Sequence, residues 1–407
     1  MKFIIVEANF QNKGAQAMLF TTTSELKARF EGCEVLFFTR EKPREGYKFK
    51  YICDLIGWNY LIRGSHAVRA IMKAVYLMIT GNKNVVYNAK KFNKELRSAD
   101  AFIDISGYAL SSQRGLNRSI NYLNQIRVAK RINVPYFIMP QSIGPFDYGT
   151  QQKKMDKLLK KYLIYPVRIF PREEEGYKIL KEKLQLDNIE QSYDLVLQNK
   201  GILLENVIND YYKKCVPIFE SKNNVAIIPN VRNFDYGSKD GFQVLYSEII
   251  KRLQEHSKTV YLIRHSEEDL DACHMIFESL KDRKGVYLLE DDFDCLQFNG
   301  IVKQMDYIIG SRYHGIVHAL KNAVPAVVLG WATKYEALLK MFNQERFLFD
   351  VRGQIDTTKL LESLDDIESN WQTEKNVISS KLDEYQKDNC FDCISEYFRG
   401  HRIANRE

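Results

Sequence analysis

The stretch Gly310-Ser311-Arg312-Tyr313-His314-Gly315-Ile316-Val317-His318 follows directly on the apolar run Met305 to Ile309 and reads as the opening of a helix. A short strand that turns through Gly-Ser into a helix leaves backbone N–H groups unpaired. It also aims the positive end of the helix dipole at one spot, which makes an anion site with Ser311 at its centre. Arg312 adds a guanidinium able to hold a phosphate or carboxylate through two hydrogen bonds, and His314 can give or take a proton near neutral pH. These residue types at this spacing support anion binding coupled to proton transfer. His318 lies four residues after His314, as in some metal pairs, but Gly315 stands where a zinc hydrolase motif carries glutamate. No resident metal or cofactor is expected.

A second guanidinium, Arg232, follows the apolar run Val225 to Pro229 much as Arg312 follows its own. Two such groups at separate strand ends suit a small substrate with two anionic groups, a carboxylate and a phosphate, and phosphoenolpyruvate matches. His265 with Asp269, behind Thr259 to Arg264, is another proton-transfer candidate, and Ser266 to Asp269 equally fits a helix start with acids in its first turn. Asp292-Phe293-Asp294 imitates a metal-holding DxD but also reads as a helix N-terminus.

The elements that must position these groups come in two series of β-rich runs alternating with helical segments, the pattern of parallel sheets covered on both faces. The first is Phe3 to Val6, Val35 to Thr39, Ala101 to Ile105, Tyr136 to Met139, Val167 to Phe170 and Leu195 to Leu197. The second is Val225 to Pro229, Thr259 to Arg264, Val286 to Leu289, Tyr307 to Gly310, Ala326 to Leu329 and Phe347 to Val351. The expected fold is α/β, two Rossmann-like domains facing across a cleft. Residues 1–200 form the acceptor side, 201–370 the anion side, and 371–407 a helical segment that can cross back. Polar Gly201 to Asn224 serves as linker, and Asp356 to Leu364 and Asn370 to Lys387 read as two helices.

Ligands of such sheets bind beyond the carboxyl ends of the strands. In the second half these ends are Asn230 to Arg232, His265 to Asp269, Ser311 to His314 and Gly330 to Lys334. In the first they are Asn9 to Gly14, Gly107 to Ser112 and Gln141 to Pro145. Asn12, Asp104, Tyr108 and Gln141 would meet the acceptor there, with Asp104 either a base for a hydroxyl or a cap for its loop.

The composition fits this picture. The 407 residues are 45% apolar and 27% charged, as in soluble globular proteins, and the formal charge of +7 favours anionic small molecules or an anionic membrane over nucleic acid. The start carries no secretory pattern, and no run is long enough to span a bilayer, so a cytoplasmic location is expected. Seven scattered cysteines point to reduced thiols, and Cys390-x-x-Cys393 to helix packing. Trp58 to Thr80 mixes Leu61, Val68, Ile71, Met72, Val75 and Met78 with Arg63, His66, Arg69 and Lys73. Such a helix either rests on anionic headgroups or packs on the sheet with a solvated basic edge.

Four motifs, ordered along the chain, resemble the polysaccharide pyruvyltransferase family: Asn12-Lys13-Gly14-Ala15-Gln16-Ala17-Met18, Gln141-Ser142-Ile143-Gly144-Pro145, Pro171-Arg172-Glu173, and Ser-Arg-Tyr-His-Gly with a following Val-Pro and Lys334. The resemblance implies a GT-B-like fold. It also implies transfer of pyruvyl from phosphoenolpyruvate to a sugar of a surface or capsular glycan, or its polyprenyl-diphosphate-linked precursor, commonly as a cyclic ketal. By motif, Arg232, Arg312 and His314 correspond to donor-binding and catalytic positions, with Ser311, Lys334 and Gly14 beside them; the inner face of the plasma membrane is an expectation that rests on the basic edge of Trp58 to Thr80 alone. One departure is Ser106-Gly107-Tyr108-Ala109-Leu110, where family members resemble one another in a glycine cluster; bulky Tyr108 suggests an altered acceptor pocket. The rival readings are a metal-independent GT-B glycosyltransferase using a nucleotide sugar and a non-catalytic glycan-binding protein.

Overall fold

A computed structural model describes residues 1–10, 12–39, 46–52, 55–62, 64–81, 83–209, 216–235, 239–331, 333–353 and 355–404. Arg63 and parts of the loops at 9–14, 201–224 and 330–334 lie outside them. The first half holds β1 (Lys2–Val6), β2 (Glu34–Phe38), β3 (Lys50–Ile52), β4 (Ala101–Asp104), β5 (Tyr136–Gln141) and β6 (Arg168–Pro171), in the order β3-β2-β1-β4-β5-β6. The second holds β7 (Asn224–Ile228), β8 (Thr259–Ile263), β9 (Val286–Leu289), β10 (Tyr307–Gly310), β11 (Ala326–Gly330) and β12 (Leu348–Asp350), in the order β12-β11-β10-β7-β8-β9. Pairing within both sheets is parallel, and the two orders are one topology read from opposite edges. The chain is α/β with two Rossmann-like halves, the GT-B arrangement.

The central strands are buried on both faces, and their sequences are apolar throughout: FIIV in β1, VAII in β7, YIIG in β10 and AVVL in β11. In each sheet the order reverses beside the first strand, between β1 and β4 and between β7 and β10. Loops splay apart at such a switch point and leave a crevice.

Between the strands of the first half run α1 (Lys13–Arg29), α2 (Leu55–Ile62), α3 (Ser65–Ile79), α4 (Lys83–Arg97), α5 (Leu116–Ile132) and α6 (Gln152–Leu163), followed by short α7 (Glu174–Lys178) and α8 (Leu195–Gln198). The second half adds α9 (Lys239–Glu255), α10 (Asp269–Ser279), α11 (Cys295–Val302), α12 (Tyr313–Lys321), α13 (Thr333–Met341), α14 (Thr357–Tyr385) and α15 (Asp392–Ala404).

Several elements depart from the sequence expectation. Leu195 to Leu197 is helix, because the Asp194 carboxylate accepts from the Val196 N–H at 2.9 Å and caps a turn. The span 58–80 is two helices, broken where Gly64 takes a φ of 66°. The two helices expected after residue 356 are one of 29 residues. β3 is short and largely exposed, and nothing in its composition announced it.

The halves are fastened together. Lys13 N donates to the His265 carbonyl at 3.4 Å, Asn12 bridges Ser266, and Gln16 accepts from Cys295 N at 2.9 Å. One apolar cluster runs through α1, α11 and α12 from Phe3 to Val328. The C-terminal helix returns to the first sheet, where Phe398 packs on Phe3 and Phe30 and Tyr397 on Phe137. Cys390 and Cys393 are free thiols in that contact.

Candidate active site

α12 begins as its sequence foretold: β10 ends at Gly310 and the helix starts at Tyr313, with Arg312 as N-cap in extended conformation and no side chain capping the end. The first-turn N–H groups therefore have no intrahelical partner, and Arg312, Tyr313 and His314 at that helix start line the cleft. That cleft measures about 1260 Å³ and gathers Asn12, Tyr108 and Arg114 from the first half with Arg232, Arg312, His314 and Lys334 from the second.

His314 reaches across the boundary. Its side chain lies against Gly14, so close that a β-carbon there would stand 2.4 Å from the imidazole Cγ. Nε2 is 3.6 Å from the Asp194 carboxylate, whose same oxygen accepts from the buried guanidinium of Arg172. Arg172 also donates to Gly107 O at 3.1 Å and Ser142 Oγ at 2.7 Å, and stacks on the Tyr313 ring at 4.6 Å. Burial pulls the His314 pKa down to about 4; Asp194 pulls it up, and Arg172 and Lys334 push it further down. The imidazole is neutral at pH 7. The expected tuning toward neutrality is therefore not a property of the empty cleft.

Lys334 sits among aromatic rings: Tyr313 at 5.2 Å, Tyr108 at 5.3 Å, Tyr335 at 5.6 Å and Trp331 at 6.0 Å. Burial lowers its pKa to about 8, helped by Arg172 and opposed by Glu173. Among the described residues no carboxylate or carbonyl is within hydrogen-bond reach of this ammonium. Rings with their negative faces toward a cation hold its charge without taking its hydrogen-bonding capacity. A smaller recess of about 120 Å³ adjoins the cleft, shares Tyr108 and Lys334 with it, and is walled by Ser142, Gly144 and Glu173.

The arginines are placed differently from the expectation. Arg312 spends its fork on Asp269, with Nε at 2.8 Å from one oxygen, and on Glu268 at 2.7 Å. Glu268 also receives Arg232 at 3.5 Å, so an acid lies between the two guanidiniums. The reason is Asp269, fully buried: it accepts from Ser266 N at 2.8 Å, Val231 N at 3.2 Å and Arg312, tying together the loops after β7, β8 and β10. A sealed carboxylate requires such a partner.

Three further candidates, Asp104, Gln141 and Ser311, do not line the cleft, whereas His265 does so from an almost fully buried position. Asp104 is fully buried, bonded to Ser106 N at 2.9 Å and Tyr136 at 3.3 Å, with burial raising its pKa to about 6. Gln141 is also sealed, donating to Tyr122 at 2.8 Å and accepting from Ser106. Both brace the loop that carries Tyr108. Ser311 is buried, its carbonyl taken by Asn230 and Tyr335. His265 is 4% exposed, edge-on to Phe298 at 5.4 Å, its pKa driven well down by burial, and Asp269 is engaged elsewhere. Asn12 lines the cleft while capping α1 through Ala15 N at 2.8 Å. His318 pairs with Asn299 at 3.2 Å, and Asp294 forms a capping box on α11 rather than a cation site. Among the described residues no cluster of His, Cys, Asp or Glu has the arrangement to hold a metal ion.

Asp194, Tyr313 and Arg172 belong to the site although the sequence alone assigns none of them a role. Asp194 had one signal, an acid directly before Leu-Val-Leu, as expected of a helix cap.

Residues 12–333 match the sequence profile of polysaccharide pyruvyl transferases, a span that contains His314, Arg172, Asp194 and almost the whole cleft. The chain belongs to the polysaccharide pyruvyl transferase family. No curated protein matches it. Among solved structures it resembles S. aureus MnaA with UDP (TM-score 0.58, 10% identity, 98% of this chain and 95% of that one). It also resembles a glycosyltransferase from Rickettsia africae (0.54, 12%, 98% and 97%) and Phytolacca americana UGT2 (0.53, 11%, 99% and 99%). At these identities the likeness is one of fold, and it agrees with the GT-B arrangement of a pyruvyl transferase built on two Rossmann-like sheets.

Proposed function

We propose that this pyruvyl transferase takes its pyruvyl group from phosphoenolpyruvate and installs it on a glycan sugar as a cyclic ketal, releasing phosphate. The observation that carries the reading is Lys334, a caged ammonium that has no hydrogen-bonded counter-charge among the described residues and lines the same cleft as the uncapped first turn of α12 and a neutral histidine. An anion of two negative groups complements that arrangement better than it does the neutralised pair Arg232 and Arg312.

The chemistry follows from the enol phosphate. The donor's negative charge beside His314 favours imidazolium, adding to the pull of Asp194, so the proton arrives with the donor. His314 gives it to the methylene carbon, which becomes a methyl group and leaves the adjacent carbon cationic. One sugar hydroxyl adds there, the carbon–oxygen bond to phosphate breaks, and a second hydroxyl closes the ring. One hydroxyl proton restores His314 and the other leaves with phosphate, so no metal is required for the balance. Lys334 and the α12 N–H groups stabilise the departing phosphate. Asn12, Tyr108 and the recess at Glu173 supply the acceptor side, and the acceptor is a glycan, free or carried on a polyprenyl diphosphate.

Thermal shift of Lys334→Met tests the donor assignment. Phosphoenolpyruvate should stabilise the wild type and leave the variant unmoved. Stabilisation of both by a nucleotide diphosphate, with no response to phosphoenolpyruvate, would favour a nucleotide-sugar transferase.

A further inference from the structure

α3 turns an apolar face to solvent. It packs on α4 through Ala70, Ala74 and Leu77 against Ala89, one narrow stripe. On the opposite side Val68, Met72, Tyr76 and Ile79 are exposed at 56, 67, 66 and 80%, with Ile71 and Val75 beside them. At 100° per residue the apolar side chains fill the outward arc, and Arg69 and Lys73 follow along one flank. Single exposed hydrophobics need no explanation, whereas a contiguous patch on one helix does.

The charge around the patch identifies what covers it. From Leu55 to Lys94 the sequence contains no Asp or Glu and seven Lys or Arg. Lys90, Lys91 and Lys94 of α4, on which α3 rests, are exposed. A second copy of the chain on this patch would set one basic helix pair against another. An anionic lipid surface supplies both partners at once, acyl chains for the apolar arc and phosphates for the cations, whose stems can lie along the interface.

We propose that α3 is a membrane-docking helix, lying in the headgroup region of an anionic bilayer. It is a separate surface from the cleft, so its fate is independent of the donor assignment. Among the described residues no helix is long and apolar enough to cross a membrane, and docking in the plane of the interface requires none.

Flotation of the full chain with phosphatidylglycerol/phosphatidylcholine vesicles and with pure phosphatidylcholine vesicles tests this, with light scattering in parallel. The wild type should float with the anionic vesicles only, and less in high salt. Met72→Gln/Tyr76→Gln/Ile79→Gln should stay at the bottom while melting like the wild type, since these side chains are exposed. Arg69→Gln/Lys73→Gln should lower vesicle affinity roughly 10- to 30-fold, at about fivefold per cation. Failure of the wild type to float, or equal flotation of the apolar triple variant, would overturn the proposal. So would a wild-type dimer that the triple variant converts to monomer, which would give the patch to a second copy.

Discussion

Replacing Gly14 by alanine should disable His314 without touching it. The new β-carbon would stand 2.4 Å from Cγ, 2.5 Å from Nδ1 and 2.6 Å from Cβ of the imidazole. Ordinary contact needs about 3.4 Å or more, so the ring must retreat by roughly 1 Å. α1 cannot retreat instead, because Asn12 bridges Ser266 and Lys13 N is bonded to His265 O, both just past the end of β8. Alanine favours helix over glycine by about 1 kcal/mol, and the crowding costs about 1–3 kcal/mol, so the net loss of stability is modest. A misplacement of about 1 Å at a reacting group typically lowers the rate on the order of 100-fold. The assay is phosphate release from phosphoenolpyruvate with acceptor glycan, alongside thermal melting. A large fall in rate with a small change in Tm is expected; a wild-type rate would refute the assignment of His314 to proton delivery.

Other consequences concern charge. Lys334 carries its proton below a pKa of about 8, so phosphoenolpyruvate affinity should fall as pH rises through that value, and calorimetry across pH 7 to 9.5 should lose this dependence in Lys334→Met. Arg312→Ala should act mainly on the fold: it strips Asp269 of its partner and should cost about 3–5 kcal/mol by denaturant titration, whereas Arg232→Ala at the exposed pair should cost less than about 1 kcal/mol. His265, His314 and His318 have folded pKa values below that of the unfolded chain, so their contribution is complete above about pH 6.5 and is lost on acidification toward about pH 4. Asp104, whose pKa is raised, opposes them below about pH 6. The midpoint of thermal unfolding should therefore drop between pH 6.5 and 4.5, and less steeply in His314→Asn.

The fold was legible because parallel strands buried on both faces must be apolar throughout, and runs such as Val225 to Ile228 and Tyr307 to Gly310 have few other readings. Glycine and serine at the end of β10 likewise marked the helix start. Leu195 to Leu197 misled because three apolar residues suit a strand or a buried turn equally, and only the contact of Asp194 with Val196 decides. The 29-residue α14 looked broken near Asp365 because its polar residues have partners far away, His256 at 2.8 Å on Asp365 and Tyr307 at 3.0 Å on Glu368.

In the site, the strand-end positions could be read from topology, but pairing could not. Nothing local shows that Arg312 is claimed by Asp269, 43 residues earlier. Nor does any local pattern show that Lys334 meets the ring of Tyr108 from the other half of the chain.

The central claim is that the cleft joins a three-carbon anion to a glycan. Mass spectrometry of a glycan panel incubated with the full chain and either phosphoenolpyruvate or nucleotide sugars tests it most directly. A gain equal to pyruvate less one water, dependent on phosphoenolpyruvate and absent in His314→Asn, is the expected result. A sugar added from a nucleotide donor, with no gain from phosphoenolpyruvate, would contradict it.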